Sequence, residues 1–326
     1  MAFYEAVEQL LEAGFEPEQD IYLSSSCTEE WSGDGCPKLV AELEKRGVRP
    51  FLVIDEGGAI ITDPIGGIKG NFAMVGLFEK GQADVVFTAH STGGHASAPG
   101  KNTPVDRLAA FVCDVKKSPE FKVEFEPEVK HMFEHLAPYA PLGMRVLFSN
   151  LWLFGPLMKK VMPMLSPQAE AMLKTTVAFT MMEGSTAYNV IPEKATVAAN
   201  IRYIPHQPEK ATLELLKKLA DKHGLDMEVV MTSDHTTPAK IDGDAYRLVC
   251  DTINKTFPGL PVSPYVVTGG TDAKCYQKIC DSCLRFAPVV YGPEQMKGMH
   301  GINENIEESA LPAAVEFYKN LIRGAN

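Results

Sequence analysis

The sequence predicts an α/β protein in two parts. A domain built on a parallel-type sheet is drawn from both ends of the chain, and a ferredoxin-like domain of β-α-β-β-α-β order interrupts it. Three observations lead there. Residues 24–58 read as strand, helix and strand, and a helical connection of that length makes a right-handed parallel crossover. From residue 84 the pattern changes to alternating strands separated by two amphipathic helices. From about residue 234 the first pattern returns.

Taken in order, a helix over 3–13 places Phe3, Val7, Leu10 and Leu11 on one face, and Gly14 ends it. A strand over 21–26 leads to a turn carrying the adjacent carboxylates Glu29 and Glu30. A helix over 37–46 closes at Gly47, and a strand over 51–55 ends in a second acid pair, Asp55 and Glu56. Ligands of parallel α/β sheets meet the carboxyl ends of the strands. The four acids therefore gather at one sheet edge, on strands about 4.8 Å apart where they are neighbours. Clustered carboxylates attract a cation. Beyond them Gly57, Gly58, Gly66, Gly67 and Gly70 predict irregular backbone, with neither a dinucleotide fingerprint nor a phosphate-loop spacing.

The second part opens with a strand over 84–90 and a helix over 104–115, its apolar face Leu108, Phe111, Val112 and Val115. Strands over 176–182 and 196–203 flank Asn189-Val-Ile-Pro192, a helix over 208–223 ends at Gly224, and a strand over 226–231 completes the order. Residues 117–174, rich in Met, Leu, Phe and Pro, predict a helical insert that buries its own face. The uncharged run between Arg145 and Lys159 falls short of the roughly 20 apolar residues that cross a bilayer. The first part then resumes with a helix over 244–257, a strand over 262–267, Gly269-Gly-Thr-Asp272 and a short helix. A strand over 284–290 precedes the loop that holds His300. A last helix over 306–323 is expected to bury Leu311, Val315, Tyr318, Leu321 and Ile322. The predicted domains are 1–80 and 234–326 together, with 81–233 inserted.

Composition is that of a globular protein, 45% apolar and 22% charged over 326 residues. A net charge of −11 argues against nucleic acid and anionic membrane surfaces as partners. No secretory leader is visible, and seven scattered cysteines suit a reducing compartment, so a cytoplasmic location is expected. Cys280 and Cys283 lack a second pair for zinc and do not open a helix after a strand, so structural thiols are the preferred reading.

Two acids and a loop histidine at one sheet edge suit a borderline metal such as zinc. Six short tags then occur in one order: Thr28-Glu-Glu-Trp-Ser-Gly-Asp-Gly35, Asp55-Glu-Gly-Gly58, Gly94-His-Ala-Ser97, Asn189-Val-Ile-Pro192, Gly269-Gly-Thr-Asp272 and His300. Over essentially the whole chain that order resembles the co-catalytic zinc peptidase family of aminoacylase, carboxypeptidase S, glutamate carboxypeptidase and succinyl-diaminopimelate desuccinylase. The resemblance implies a phosphorylase/hydrolase-like zinc peptidase domain carrying the ferredoxin-like domain as a lid, through which a homodimer is expected. It implies Glu29 as general base and Glu30 and His300 as ligands of one zinc ion. Glu56, in preference to Asp55, is the ligand of the other. It implies His95 as the oxyanion group, and Asn189 and Arg202 as binders of a substrate carboxylate, with Gly269, Gly270 and Thr271 as backbone donors near the substrate. Strand alternation agrees for Arg202, since Val197, Ala199, Ile201 and Tyr203 share one side and leave Asn200 and Arg202 on the other. The implied substrate is a small peptide or N-acyl amino acid with a free carboxylate.

The chain also departs from the family pattern. It has no histidine before His90, so the family's His-x-Asp motif is absent, and the metal-bridging aspartate would fall before Met1. Three expectations follow: an amino-terminally truncated chain with little or no activity of its own, a non-catalytic binding or assembly protein of the same fold, or a chain that binds metal weakly or with a complementing partner.

Overall fold

The computed structural model describes residues 1–165 and 167–325. In chain order it begins with helices α1 (Ala2–Glu12) and α2 (Gly35–Lys45), strands β1 (Val53–Thr62), β2 (Asn71–Glu79), β3 (Gly81–His90) and β4 (Gly94–His95), and helix α3 (Pro104–Lys117). Helices α4 (Pro127–Leu136), α5 (Leu142–Phe148), α6 (Leu151–Leu165) and α7 (Pro167–Leu173) come next. Strands β5 (Thr176–Glu183), β6 (Val190–Ile191) and β7 (Lys194–Tyr203), helix α8 (Glu209–Lys222) and strand β8 (Asp226–Ser233) follow. The remainder is α9 (Asp244–Thr256), β9 (Val262–Val267), α10 (Ala273–Tyr276), β10 (Cys283–Tyr291), α11 (Pro293–Gly298) and α12 (Leu311–Gly324). The chain divides into two compact units, one of Met1–Glu79, Pro127–Gly155 and Thr236–Asn326, the other of Lys80–Glu126 and Pro156–His235. Among the described residues no helix is long and apolar enough to cross a membrane.

The first unit is built on a sheet of order β1-β10-β2-β9. β1 and β10 run parallel, as do β2 and β9, while β2 is antiparallel to both β1 and β10. The sheet is thus mixed rather than wholly parallel. The reversing strand is β2, which the sequence reading did not include. Its residues from Phe72 to Glu79 are all buried, so the polar-apolar alternation that announces a half-exposed strand is missing. In contrast, no strand forms over 21–26. A strand needs a neighbour to satisfy its backbone, β1 has its partners in β10 and β2, and Ile21, Tyr22 and Leu23 stay exposed. The expected crossover between 21–26 and β1 is therefore absent.

Helices cover this sheet through apolar faces. α2 buries Cys36, Val40 and Leu43 against Ala273, Tyr276, Ile279, Cys280 and Cys283. α12 buries Ala314, Phe317, Asn320 and Leu321, and Phe317 stacks on Phe286 of β10 at 5.3 Å. Leu311 stays exposed, because α12 starts there rather than at residue 306 and turns a neighbouring stripe inward. α4 and α5 join the unit with Phe133 and Phe148 in contact at 4.7 Å.

The second unit contains a four-stranded antiparallel sheet of order β5-β7-β3-β8. The first strand lies between the third and fourth, which is the ferredoxin-like arrangement. α3 and α8 supply Leu108, Phe111, Val115, Leu216 and Ala220 to the core beneath it. α3 starts where the sequence says it should. Thr103 and Asp106 form a reciprocal capping box and Pro104 occupies the first turn, where its missing N–H costs nothing. Lys80 is buried, donating to the carbonyls of Ala171 and Lys174 at 2.7 and 2.8 Å. Burial, with Arg202 and Lys174 nearby, pulls its ammonium down to about 7.

The glycines after Asp55 do not end β1 but let it continue. Gly57 has φ +102°, open to glycine and strained for other residues, and the register with β10 shifts between Asp55 and Ala59. At Gly58 a Cβ would lie 2.2 Å from the carbonyl oxygen of Arg285 and 2.4 Å from that of Met74. Both are backbone atoms of the flanking strands and cannot swing aside. Gly58→Ala is therefore expected to destabilise the protein by about 2 kcal/mol or more, the upper range of overpacking costs, read as a lowered urea midpoint. An unchanged midpoint would contradict this packing.

Candidate active site

The turn of Glu29–Trp31 is held by short-range bonds that follow from its sequence. Gly35 N–H donates to Thr28 Oγ1 at 3.0 Å, Thr28 N–H to Ser26 Oγ at 3.2 Å, and Gly33 N–H to the Thr28 carbonyl at 2.8 Å. Ser32 closes the turn in the left-handed region, at φ 52°. This presents Glu29 half-buried and Glu30 in solvent. Across from Glu30 the loop after α11 carries His300, itself at φ 54°, and Glu30 Oε2 lies 3.4 Å from His300 Nδ1. Residues far apart in the chain are brought to one point.

The other acids sit beside this pair. Asp55 at the bend in β1 accepts from its neighbour Glu56 N–H at 3.0 Å and from Ala273 N–H at 2.8 Å, so it is committed to backbone. Burial raises the Glu29 carboxyl, and the charges of Glu30, Asp272 and Asp55 raise it further against one opposing cation, Lys274. Asp272 is raised by burial and by Asp55. Glu56 reaches solvent, yet the protein packed around its carboxyl, with the hydrogen bond and charge of Asp55, pushes it up to about 9. Carboxyls that resist ionisation side by side mark a place where a cation would relieve the strain. Among the described residues Glu56 does not converge with Glu30 and His300 on one point; the group of three ligand atoms that does converge is Cys36, Asp272 and Cys275.

The loop Gly269 to Asp272 is held from beneath by two residues that sequence reasoning missed. Glu79 ends β2 and Arg285 lies in β10, and both are buried to 1% exposure or less. Arg285 Nε donates to Glu79 Oε1 at 2.7 Å, Nη2 lies 2.6 Å from the same oxygen, and Nη1 donates to the Cys283 carbonyl at 2.7 Å. Glu79 in turn accepts from Thr271 N–H at 2.8 Å and from Thr271 Oγ1 at 2.5 Å. Thr271 is buried, with both donors engaged inside the protein, so it positions the loop rather than offering a backbone donor to a substrate. Gly269 and Gly270 remain exposed. The signal that could have found the pair was a lone charge in each of two otherwise apolar strands.

In the second unit, taken by itself, His95 lies on β4 opposite Val190 of β6. Its Nδ1 accepts from Ser97 N–H at 3.2 Å and lies 2.8 Å from Ser97 Oγ, an acceptor role that in the neutral ring puts the proton on Nε2. Asn189 is exposed and its carbonyl takes the Ala96 N–H at 2.9 Å. Arg202 is half-buried on β7. Its Nε donates to Asn200 Oδ1 at 3.2 Å, and Asn200 is anchored on Asp84 at 2.7 Å.

Comparisons with known proteins agree in kind. A family model described as Peptidase family M20/M25/M40 matches residues 1–324. The chain is similar to the N-fatty-acyl-amino acid synthase/hydrolase PM20D1 of Xenopus tropicalis, 32% identical over 324 residues that cover 99% of this chain and 63% of the relative. It is similar also to the probable carboxypeptidase S-like 2 of Dictyostelium discoideum, 28% identical over 99% of this chain and 62% of the relative. It thus spans less than two thirds of these relatives. Among solved structures, the M20 family metallo-carboxypeptidase Sso-CP2 of Sulfolobus solfataricus matches with a TM-score of 0.64 at 17% identity, over 99% of this chain and 74% of that one, which shows a shared α/β fold.

A carboxyl raised in the folded state binds its proton more tightly there than in the unfolded chain. Its contribution to stability is complete below the ordinary carboxylate value and is lost as pH climbs through the folded value. Stability of the metal-free chain is therefore expected to fall from the ordinary carboxylate range up to about 9 because of Glu56, and Glu56→Gln to flatten that fall, both read from urea unfolding at a series of pH values. An equally steep fall in Glu56→Gln would refute the assignment.

Proposed function

This chain belongs to peptidase family M20/M25/M40, and from that premise we propose that it is a metal-dependent hydrolase of amide bonds, cutting a peptide or N-acyl amino acid beside a free carboxylate. The observation that carries this reading is the 3.4 Å approach of Glu30 Oε2 to His300 Nδ1 next to a half-buried Glu29. Two ligand atoms on a tetrahedral zinc with bonds of about 2.0–2.1 Å lie about 3.3 Å apart, so the pair fits zinc, and the raised carboxyls around it favour a cation. Glu30 and His300 would hold one zinc ion and Glu56 another. Bound zinc supplies an acidified water molecule and polarises the amide carbonyl.

Glu29 takes the proton of the attacking water and returns it to the departing amine. Its raised proton affinity makes it a stronger base than an ordinary carboxylate and lets it keep the proton until the departing amine takes it. The adjacency of Glu29 and Glu30 lets one act as base while its neighbour is held. In the second unit, exposed His95 is proposed for its Nε2–H, which suits an oxyanion, and Arg202 with Asn189 for a carboxylate. The substrate class is supported by the names of the relatives, an N-acyl-amino acid synthase/hydrolase and a carboxypeptidase S-like protein.

Catalytic zinc sites use three protein ligands, and this chain offers two at one position and one at the other.

With zinc in excess, hydrolysis of an N-acyl amino acid is expected. Glu29→Gln should lower kcat by about 10²–10⁴-fold, the usual worth of a general base, with zinc affinity by calorimetry unchanged, while His300→Ala weakens zinc binding. If zinc binds but no hydrolysis appears at any zinc concentration, the catalytic reading fails and the binding role replaces it.

A further inference from the structure

Four of the seven cysteines lie in one cluster, where α2 meets α10 and the start of β10. They form two thiol pairs that differ in surroundings. Cys280 and Cys283 are buried and face each other and the backbone, Cys283 Sγ donating to the Cys280 carbonyl at 3.5 Å. Cys36 and Cys275 instead share their space with a carboxylate. Cys36 Sγ donates to the Asp272 carbonyl at 3.5 Å, and the two thiols shift each other's proton affinity in opposite directions. One ligand atom from each of Cys36, Asp272 and Cys275 lies within 4.8 Å of the other two. Cys36 is buried, whereas Asp272 and Cys275 are partly exposed, so the group has a floor of protein and a side open to water.

We propose that Cys36, Cys275 and Asp272 form a thiol-rich site for a soft or borderline divalent cation of the zinc and cadmium class, distinct from the Glu30–His300 pair. Two thiolates with one carboxylate are a donor set that soft and borderline ions prefer over magnesium or calcium. In a tetrahedral zinc site with bonds of about 2.3 Å to sulfur and about 2.0–2.2 Å to oxygen, neighbouring ligand atoms lie about 3.4–3.8 Å apart. Closing the present group to that spacing takes side-chain movement of about 1 Å. The open side leaves the fourth position to water. On binding, two sulfur–metal bonds form and two thiol protons leave to solvent. The proximity of the two thiols already lowers Cys275 towards its thiolate while raising Cys36, so the second proton is the one the metal must displace. An ion here would join the first turn of α2 to the segment after Gly270. That segment is also gripped by Glu79, so the site is structural in character and supplies a second fastening to the same loop.

The test is titration of the reduced protein with cobalt(II), following the near-ultraviolet sulfur-to-cobalt charge-transfer band. The band is expected to saturate at one equivalent, to persist in Glu30→Gln/His300→Ala and in Cys280→Ser/Cys283→Ser, and to be lost in Cys36→Ser/Cys275→Ser. No band in the wild-type chain at saturating cobalt, or a band that survives Cys36→Ser/Cys275→Ser, overturns the proposal. A second measurement avoids any effect of substitution on folding. Zinc added to the wild-type chain is expected to slow alkylation of Cys275 by iodoacetamide at least tenfold, read by peptide mass spectrometry, and an unchanged rate overturns the proposal equally.

Discussion

The buried ion pair of Glu79 and Arg285 is the constraint on which the first unit's functional edge depends. Two full charges at 1% exposure or less are costly to remove from water. They persist because nearly every donor and acceptor finds a partner: Thr271 through two atoms, the Cys283 carbonyl, and the Thr236 hydroxyl on the Glu79 backbone at 2.7 Å. An apolar pair of the same volume would fill the space but would leave Thr271 without its anchor. The ion pair is thus better understood as fixing a position than as adding stability. It fastens the end of β2 to β10 and suspends the loop whose following residue, Ala273, donates its N–H to Asp55. The loop is the link between the middle of the sheet and the acids at its rim.

From that rim outward the physics is repulsion held in place. Glu29, Glu56 and Asp272 all bind protons more tightly than free carboxyls do, each for the same two reasons of burial and neighbouring negative charge. A folded protein keeps such a group together only if the backbone leaves it no alternative. Here the backbone is committed by the bonds of the turn before α2 and by the bend in β1. The same crowding that weakens the arrangement would be relieved by a cation, and it makes Glu29 hold its proton more tightly than a free carboxyl does.

Legibility in the sequence followed the strength of the local signal. Strand β9 was read at its observed bounds and the ferredoxin-like order was read correctly, because β3 and β7 alternate and α3 carries a clear cap. The meeting of Glu30 with His300 was reachable only through resemblance, since 269 residues of intervening chain carry no spacing rule between them. Strand β2 was invisible because a strand buried on both faces has no period to detect. Residues 21–26 misled in the opposite direction, having strand-like composition without a strand to pair with. Arg285 and Glu79 hid for a third reason: a charge inside an apolar run reads as an interruption until its partner on another strand is known.

Gly58 carries a consequence beyond its packing. Every amino-acid substitution at a glycine codon introduces a Cβ, and at this position that atom meets two main-chain oxygens from different strands. No conservative first step is open to a drifting lineage there. Relief would need simultaneous shifts in β2 and β10, and β10 carries Arg285. The alignment of three strands is therefore constrained as one unit, and the frame beneath the acids can shift only if all three shift together.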